Sequence, residues 1–152
     1  MSQETVILIL SAIILFPILM TPVIIYACRI GAIFGPLLSV FTALVAFILT
    51  MLLYPVATSG TVIQFTVFEV LPNLEISLRL DILSFSLAAL ATFVWLLCTI
   101  YSVSYMAHEH ACGRYYPVLI FTLGSCQGIF FAGDLFSLFV FFELSKTNTT
   151  IT

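Results

Sequence analysis

Charge is what this chain has least of. Of its 152 residues 7% are charged and 62% hydrophobic, whereas a soluble domain carries about a quarter charged residues. With a mean hydropathy of +1.27, the composition is that of an integral membrane protein. Four Lys and Arg against seven Asp and Glu leave a formal net charge of −3, so there is no basic face for a nucleic acid. The four cysteines (Cys28, Cys98, Cys112, Cys126) form no C-x-x-C pair. They read as small packing residues rather than metal or redox groups. A Gly-rich phosphate loop, an H-E-x-x-H pair and a nucleophile elbow are also absent from the sequence. Nothing points to a soluble active site, and no cofactor is expected. The first apolar run has Glu4 before it in place of a basic stretch, and it is too long for a signal-peptide core. It is expected to persist as a membrane helix.

What is present is a series of apolar runs. They predict an all-α integral membrane protein with about four full transmembrane helices, at residues 5–27, 32–53, 82–106 and 115–132. A truncated fifth is expected at residues 134–145, and all lie in one membrane domain, 1–152. Pro17 and Pro22 predict a kink in the first helix, tolerated where neighbours satisfy the freed carbonyls. The fourth is short and carries Gly124-Ser125-Cys126-Gln127-Gly128, which suits close packing, with Gln127 as an interhelical hydrogen-bond partner.

Between the second and third helices the pattern changes. Residues 61–70 are rich in β-branched and aromatic side chains, and Glu75 to Leu80 alternate polar and apolar, the strand period. Leu71-Pro72-Asn73-Leu74 between them has turn chemistry. A β-hairpin at the membrane surface is expected over residues 61–80, with Glu69, Glu75 and Arg79 on its solvated edge. Asp81 then stands where it can cap the third helix and meet its positive end. The loop at His108-Glu109-His110 beside Cys112 invites a metal reading, but the better explanation is contact with a neighbouring protein of the same assembly. With the N-terminus outside, Arg29, Arg114 and Lys146 fall on the cytoplasmic side and Arg79 alone outside, which the positive-inside rule favours.

The stretch that carries chemistry runs from Asp134 to Leu144. In a helix rising ~1.5 Å per residue, Glu143 lies roughly 13 Å beyond Asp134. With Asp134 at the membrane surface, Glu143 would stand near the middle of a hydrocarbon layer ~30 Å thick. An ionisable group buried at that depth is by default a site for ions or protons. Its plain alternative is a carboxylate that only hydrogen-bonds a neighbouring helix. Lys146, at i+3, can pair with it on one helical face. The polar tail from Ser145 onward predicts that this helix completes its crossing against partner subunits or that the chain is a piece of something longer.

Asp81-Ile82-Leu83-Ser84, the helix end at Tyr105-Met106, Arg114-Tyr115-Tyr116 and above all residues 132–144, AGDLFSLFVFFEL, resemble the antiporter-like membrane subunits. These are the proton-translocating subunits of respiratory complex I, of Mrp-type cation/proton antiporters and of membrane-bound hydrogenases. The Gly-Asp-Leu-Phe form is most similar to the D-type subunits of Mrp antiporters. The resemblance implies that Glu143 matches a fifth-helix glutamate paired with a seventh-helix lysine, in a protein of about fourteen helices built from inverted repeats. That lysine is missing from this sequence, and Lys146 does not match it by position. The expected role is a membrane subunit, or N-terminal fragment, of a proton- or sodium-translocating complex in the cell (inner) membrane. Glu143 would be its buried titratable site, with Gln127, Asp134 and Lys146 as accessory polar groups. Partners would include membrane subunits supplying the missing helices, the surrounding lipid and, in some assemblies, a redox module; the chain itself would not be catalytic. The competing expectation is a truncated, non-conducting scaffold of such a complex.

Overall fold

The computed structural model describes residues 2–106 and 112–151, and their side chains except at positions 67, 68, 70, 112, 148, 149 and 151. Helix α1 spans Gln3–Ile30, and Ser2 caps it by accepting from the Thr5 amide through its Oγ. Both prolines lie inside α1. Thr21 donates its hydroxyl to the Pro17 carbonyl at 3.1 Å, one of the local bonds by which side chains use backbone acceptors inside membrane helices. Helix α2 spans Phe34–Leu52, and after Leu53 a short α3 covers Tyr54–Thr58. Pro55 opens α3, where a missing amide proton leaves no helical bond unmade.

Strands β1, Ile63–Leu71, and β2, Leu74–Leu80, form a two-stranded antiparallel sheet with register shifts after Thr66 and Glu69. Pro72 and Asn73 make the turn. Asn73 has φ +80°, the left-handed conformation that Asn tolerates and a turn led by Pro requires. Helix α4, Ile82–Met106, follows directly, then α5, Cys112–Phe131, and α6, Leu135–Ile151. Helix α6 runs on through the polar tail beyond Lys146.

The arrangement corrects two expectations. Among the described residues three helical stretches, not four, are long and apolar enough to cross a membrane: Gln3–Ile30, Phe34–Thr58 and Ile82–Met106. Helix α5 falls short because Arg114-Tyr115-Tyr116-Pro117 occupies its start and Gly124 to Gly128 its centre. The hairpin also sits between the third and fourth helices, not the second and third. Leu53 and Pro55 divide the second apolar run and begin a new helix before the chain turns into β1. The chain is a multi-pass membrane protein.

Helix α5 is central, packing on α1, α2, α4 and α6. Its modest hydropathy fits that place, since its side chains meet other helices and small residues let backbones approach. One apolar cluster joins Val6, Leu10 and Ile13 of α1 to Leu78, Leu80, Phe85 and Phe131 beneath the hairpin. A second joins Ile24, Ala43, Leu96, Tyr116 and Ile120 further along the bundle.

Candidate functional site

The site is built where β2 meets the start of α6. Ser77 is buried and held at three points. Its amide donates to Ser137 Oγ at 2.9 Å, its carbonyl accepts from the Gly133 amide at 2.9 Å, and its hydroxyl donates to Asp134 Oδ2. A bridge between Leu78 and Ala132 extends the contact. Gly133 is required here for space: a Cβ would lie 2.7 Å from Ser77 Oγ and 3.3 Å from the Ser77 carbonyl carbon. Asp134, expected as an accessory group for ions, therefore acts as the joint that fixes the hairpin to α6.

From this joint α6 runs against α5. Gly128 faces the ring of Phe141, where a Cβ would come within 2.3–2.6 Å of three ring atoms. On another side of α5, a Cβ at Gly124 would lie 2.8 Å from Ile18 Cγ1 and 3.1 Å from the Ile14 carbonyl of α1. The two glycines thus let α5 sit tightly between α1 and α6.

Glu143 lies two residues beyond Phe141, and its placement corrects the expectation of a buried acid. Its side chain is 42% exposed in this chain, and no carboxylate is buried among the described residues. Its neighbours Phe139 and Phe142 are 58% and 55% exposed, so it stands on an apolar face without a covering helix. Lys146 Nζ approaches Glu143 Oε1 at 3.9 Å, itself largely exposed. A pair so long and open contributes only ~0–1 kcal/mol.

Gln127 is fully buried in α5 and its Nε2 donates to the Ala88 carbonyl of α4 at 3.5 Å. Its Oε1 is buried with no partner among the described residues. Other buried hydroxyls are spread along α2, α4 and α5. Thr42, Thr50, Thr92, Thr99 and Ser125 each donate to the carbonyl one turn back in their own helix. Their protons are committed locally, so these bonds do not link one helix to the next.

Asp81 stands at the start of α4. Its Oδ1 accepts from the Ser84 amide at 2.7 Å, and its other oxygen lies 3.5 Å from Arg79 Nε. The Ser84 bonds hold its carboxyl below the ordinary value against the opposing effect of burial, and the Arg79 charge adds a smaller pull in the same direction as the bonds. Of the hairpin's other charges, Glu69 and Glu75 are exposed and face each other across the strands, and Glu75 accepts from Thr66 Oγ1 at 2.7 Å. The His108-Glu109-His110 loop lies outside the described residues. Sequence reasoning missed Ser77 and Ser137. Alternation placed Ser77 on the solvated side of β2, and no local signal says that α6 covers that side.

Residues 71–116 match the family described as NADH-ubiquinone oxidoreductase (complex I), chain 5 N-terminus. The A/B component of a probable K(+)/H(+) antiporter from Rhizobium meliloti is 34% identical over 106 residues, 68% of this chain and 10% of that protein. The D component of the Na(+)/H(+) antiporter of Alkalihalophilus pseudofirmus is 34% identical over 64 residues, 42% of this chain and 13% of that protein. The chain therefore spans only a small part of the length of these relatives. In structure it is similar to a chain of the membrane-bound sulfane sulfur reductase, an archaeal respiratory membrane complex. The TM-score is 0.74 at 21% identity, over 92% of this chain and 22% of that one, a likeness of fold alone. These findings support membership of the broad family of antiporter-like membrane subunits, to which Mrp-type antiporters, complex I and membrane-bound hydrogenases belong.

Proposed function

We propose that this chain is a membrane subunit, or the N-terminal part of one, in a complex that exchanges protons for sodium or potassium, and that Glu143 is its titratable site. The observation that carries this is the position of Glu143. It lies ~13 Å along α6 from the Asp134 joint, on a face where exposed phenylalanines leave room for another helix. Such a helix, bearing a cation, would bring a positive charge to and from this carboxyl. Binding and release of a proton would then follow the approach and withdrawal of that cation. The similarity to relatives named as components of K(+)/H(+) and Na(+)/H(+) antiporters supports the reading. The Gly-Asp-Leu-Phe sequence favours the D type among them. Residues 1–152 would act as a single membrane domain in the inner membrane, N-terminus outside, with neighbouring subunits supplying the helix that faces Glu143.

A second reading is a non-conducting scaffold. The local commitment of the buried hydroxyl protons and the openness of the Glu143–Lys146 pair favour it. The two separate in sealed inverted vesicles carrying the assembled complex. Glu143→Gln should abolish cation-dependent proton movement while the complex still assembles. Unchanged exchange in that variant would overturn the titratable role and leave the scaffold.

A further inference from the structure

An apolar groove of about 490 Å³ opens on the outer face of the bundle between α4 and α5. Trp95, Met106, Val118 and Leu119 form its walls, and Arg114 and Tyr115 stand at its mouth. The connection from α4 to α5 is short, so Met106 and Arg114 lie at the same end of the bundle. The groove runs from there to Trp95, ~16 Å along α4. That depth is about one leaflet of a hydrocarbon layer ~30 Å thick.

Tyr115 lines the groove, and its hydroxyl donates to Ser102 Oγ at 2.8 Å, because the Ser102 proton goes to the Cys98 carbonyl. Trp95 is fixed in the wall by donating Nε1 to the Leu119 carbonyl at 2.9 Å. The C-terminus of α1, with exposed Arg29, lies beside the start of α5, since a Cβ at Gly113 would touch Cys28 Cβ at 3.9 Å. The carboxylates of Asp81, Glu69, Glu75 and Asp134 gather instead at the hairpin end, and Glu143, further along α6, is paired with Lys146. Among the described residues the groove therefore opens at the basic end of an otherwise acidic chain.

We infer that this groove holds one acyl chain of an acidic phospholipid drawn from the bilayer, with Arg114 meeting its phosphate. Apolar walls of one-leaflet depth fit the chain, and a guanidinium at the surface fits the headgroup phosphate. One arginine beside an anionic headgroup corresponds to about a fivefold preference over a zwitterionic lipid, ~1 kcal/mol.

Trp95 is the only tryptophan in the sequence, so its fluorescence reports on the groove directly. The full chain is placed in phosphatidylcholine vesicles containing a small fraction of phosphatidylglycerol with brominated acyl chains. A matched preparation carries the same fraction of brominated phosphatidylcholine. Bromine quenches tryptophan on contact. Quenching at several-fold lower mole fraction by the acidic lipid, lost in Arg114→Gln and kept in Arg114→Lys, is the expected result. Equal quenching by both lipids, or selectivity that survives Arg114→Gln, would overturn the assignment. Absence of quenching by either lipid would show the groove filled by protein and would overturn it as well.

Discussion

Adding one methyl group at Gly128 tests how α6 is held. The Cβ of Gly128→Ala would lie 2.3 Å from Phe141 Cδ1, 2.5 Å from Cγ and 2.6 Å from Cε1. Carbon atoms in comfortable contact are about 3.5–4.0 Å apart, so the ring must retreat by more than about 1 Å. Turning the ring about its own axis leaves Cγ in place. Either χ1 changes or α6 moves away from α5. Overpacking of this kind costs about 1–3 kcal/mol. Opposing it is the helix preference of Ala over Gly, about 1 kcal/mol. A control isolates the clash. At Gly113 a new Cβ meets Cys28 Cβ at an ordinary 3.9 Å, so Gly113→Ala should be neutral or mildly stabilising. Unfolding in mixed detergent–lipid micelles should place Gly128→Ala about 1–3 kcal/mol below that control. Phe141→Leu, which shortens the opposing side chain, should restore part of the difference in the double variant. The reasoning is refuted if Gly128→Ala and Gly113→Ala are equally stable, or if Phe141→Leu adds its own loss without rescue.

Three further outcomes follow from the site. Ser137→Ala leaves the buried Ser77 amide without its acceptor and should cost about 1–3 kcal/mol, read as faster hydrogen exchange along β2. Gly133→Ala should be more disruptive than Asp134→Asn, because the first drives a Cβ into the Ser77 backbone while the second keeps an acceptor for its hydroxyl; protease nicking of the hairpin would rank them. Asp81→Ala should destabilise α4 by about 0.5–2 kcal/mol at neutral pH. Because the folded carboxyl of Asp81 lies below its ordinary value, its contribution is complete above the unfolded value near 3.9. It is lost as pH falls through the folded value, where wild type and variant should converge.

Parts of this molecule could be read from the sequence, and the reasons are physical. Proline followed by asparagine between a β-rich stretch and an alternating one marks the turn, since the chemistry is confined to neighbouring residues. Asp81 ahead of an apolar run is readable as a cap for the same reason: its partner is three residues away. What depends on distant segments was hidden. The third helix at Tyr54–Thr58 was missed, because Pro55, just past the second predicted helix, can end one helix or begin another. Helix α5 looked like one more span, since its Gly124 and Gln127 disclose their neighbours only once α1, α4 and α6 surround them. The exposure of Glu143 could not be read at all. Helical rise gives depth, but only the packing of α6 on α5 decides which face is left open.

A role in ion exchange requires Glu143 to face a protein-covered, water-poor region in the assembled complex. Carbodiimides of opposite solubility test this most directly, with modification followed residue by residue in the mass spectrum. Glu143 should react with a lipid-soluble carbodiimide and resist a water-soluble one, and excess exchanged cation should slow the reaction. Exposed Glu69 and Glu75 of the hairpin serve as internal controls that the water-soluble reagent reaches. Modification of Glu143 by the water-soluble reagent as fast as those two would contradict the claim.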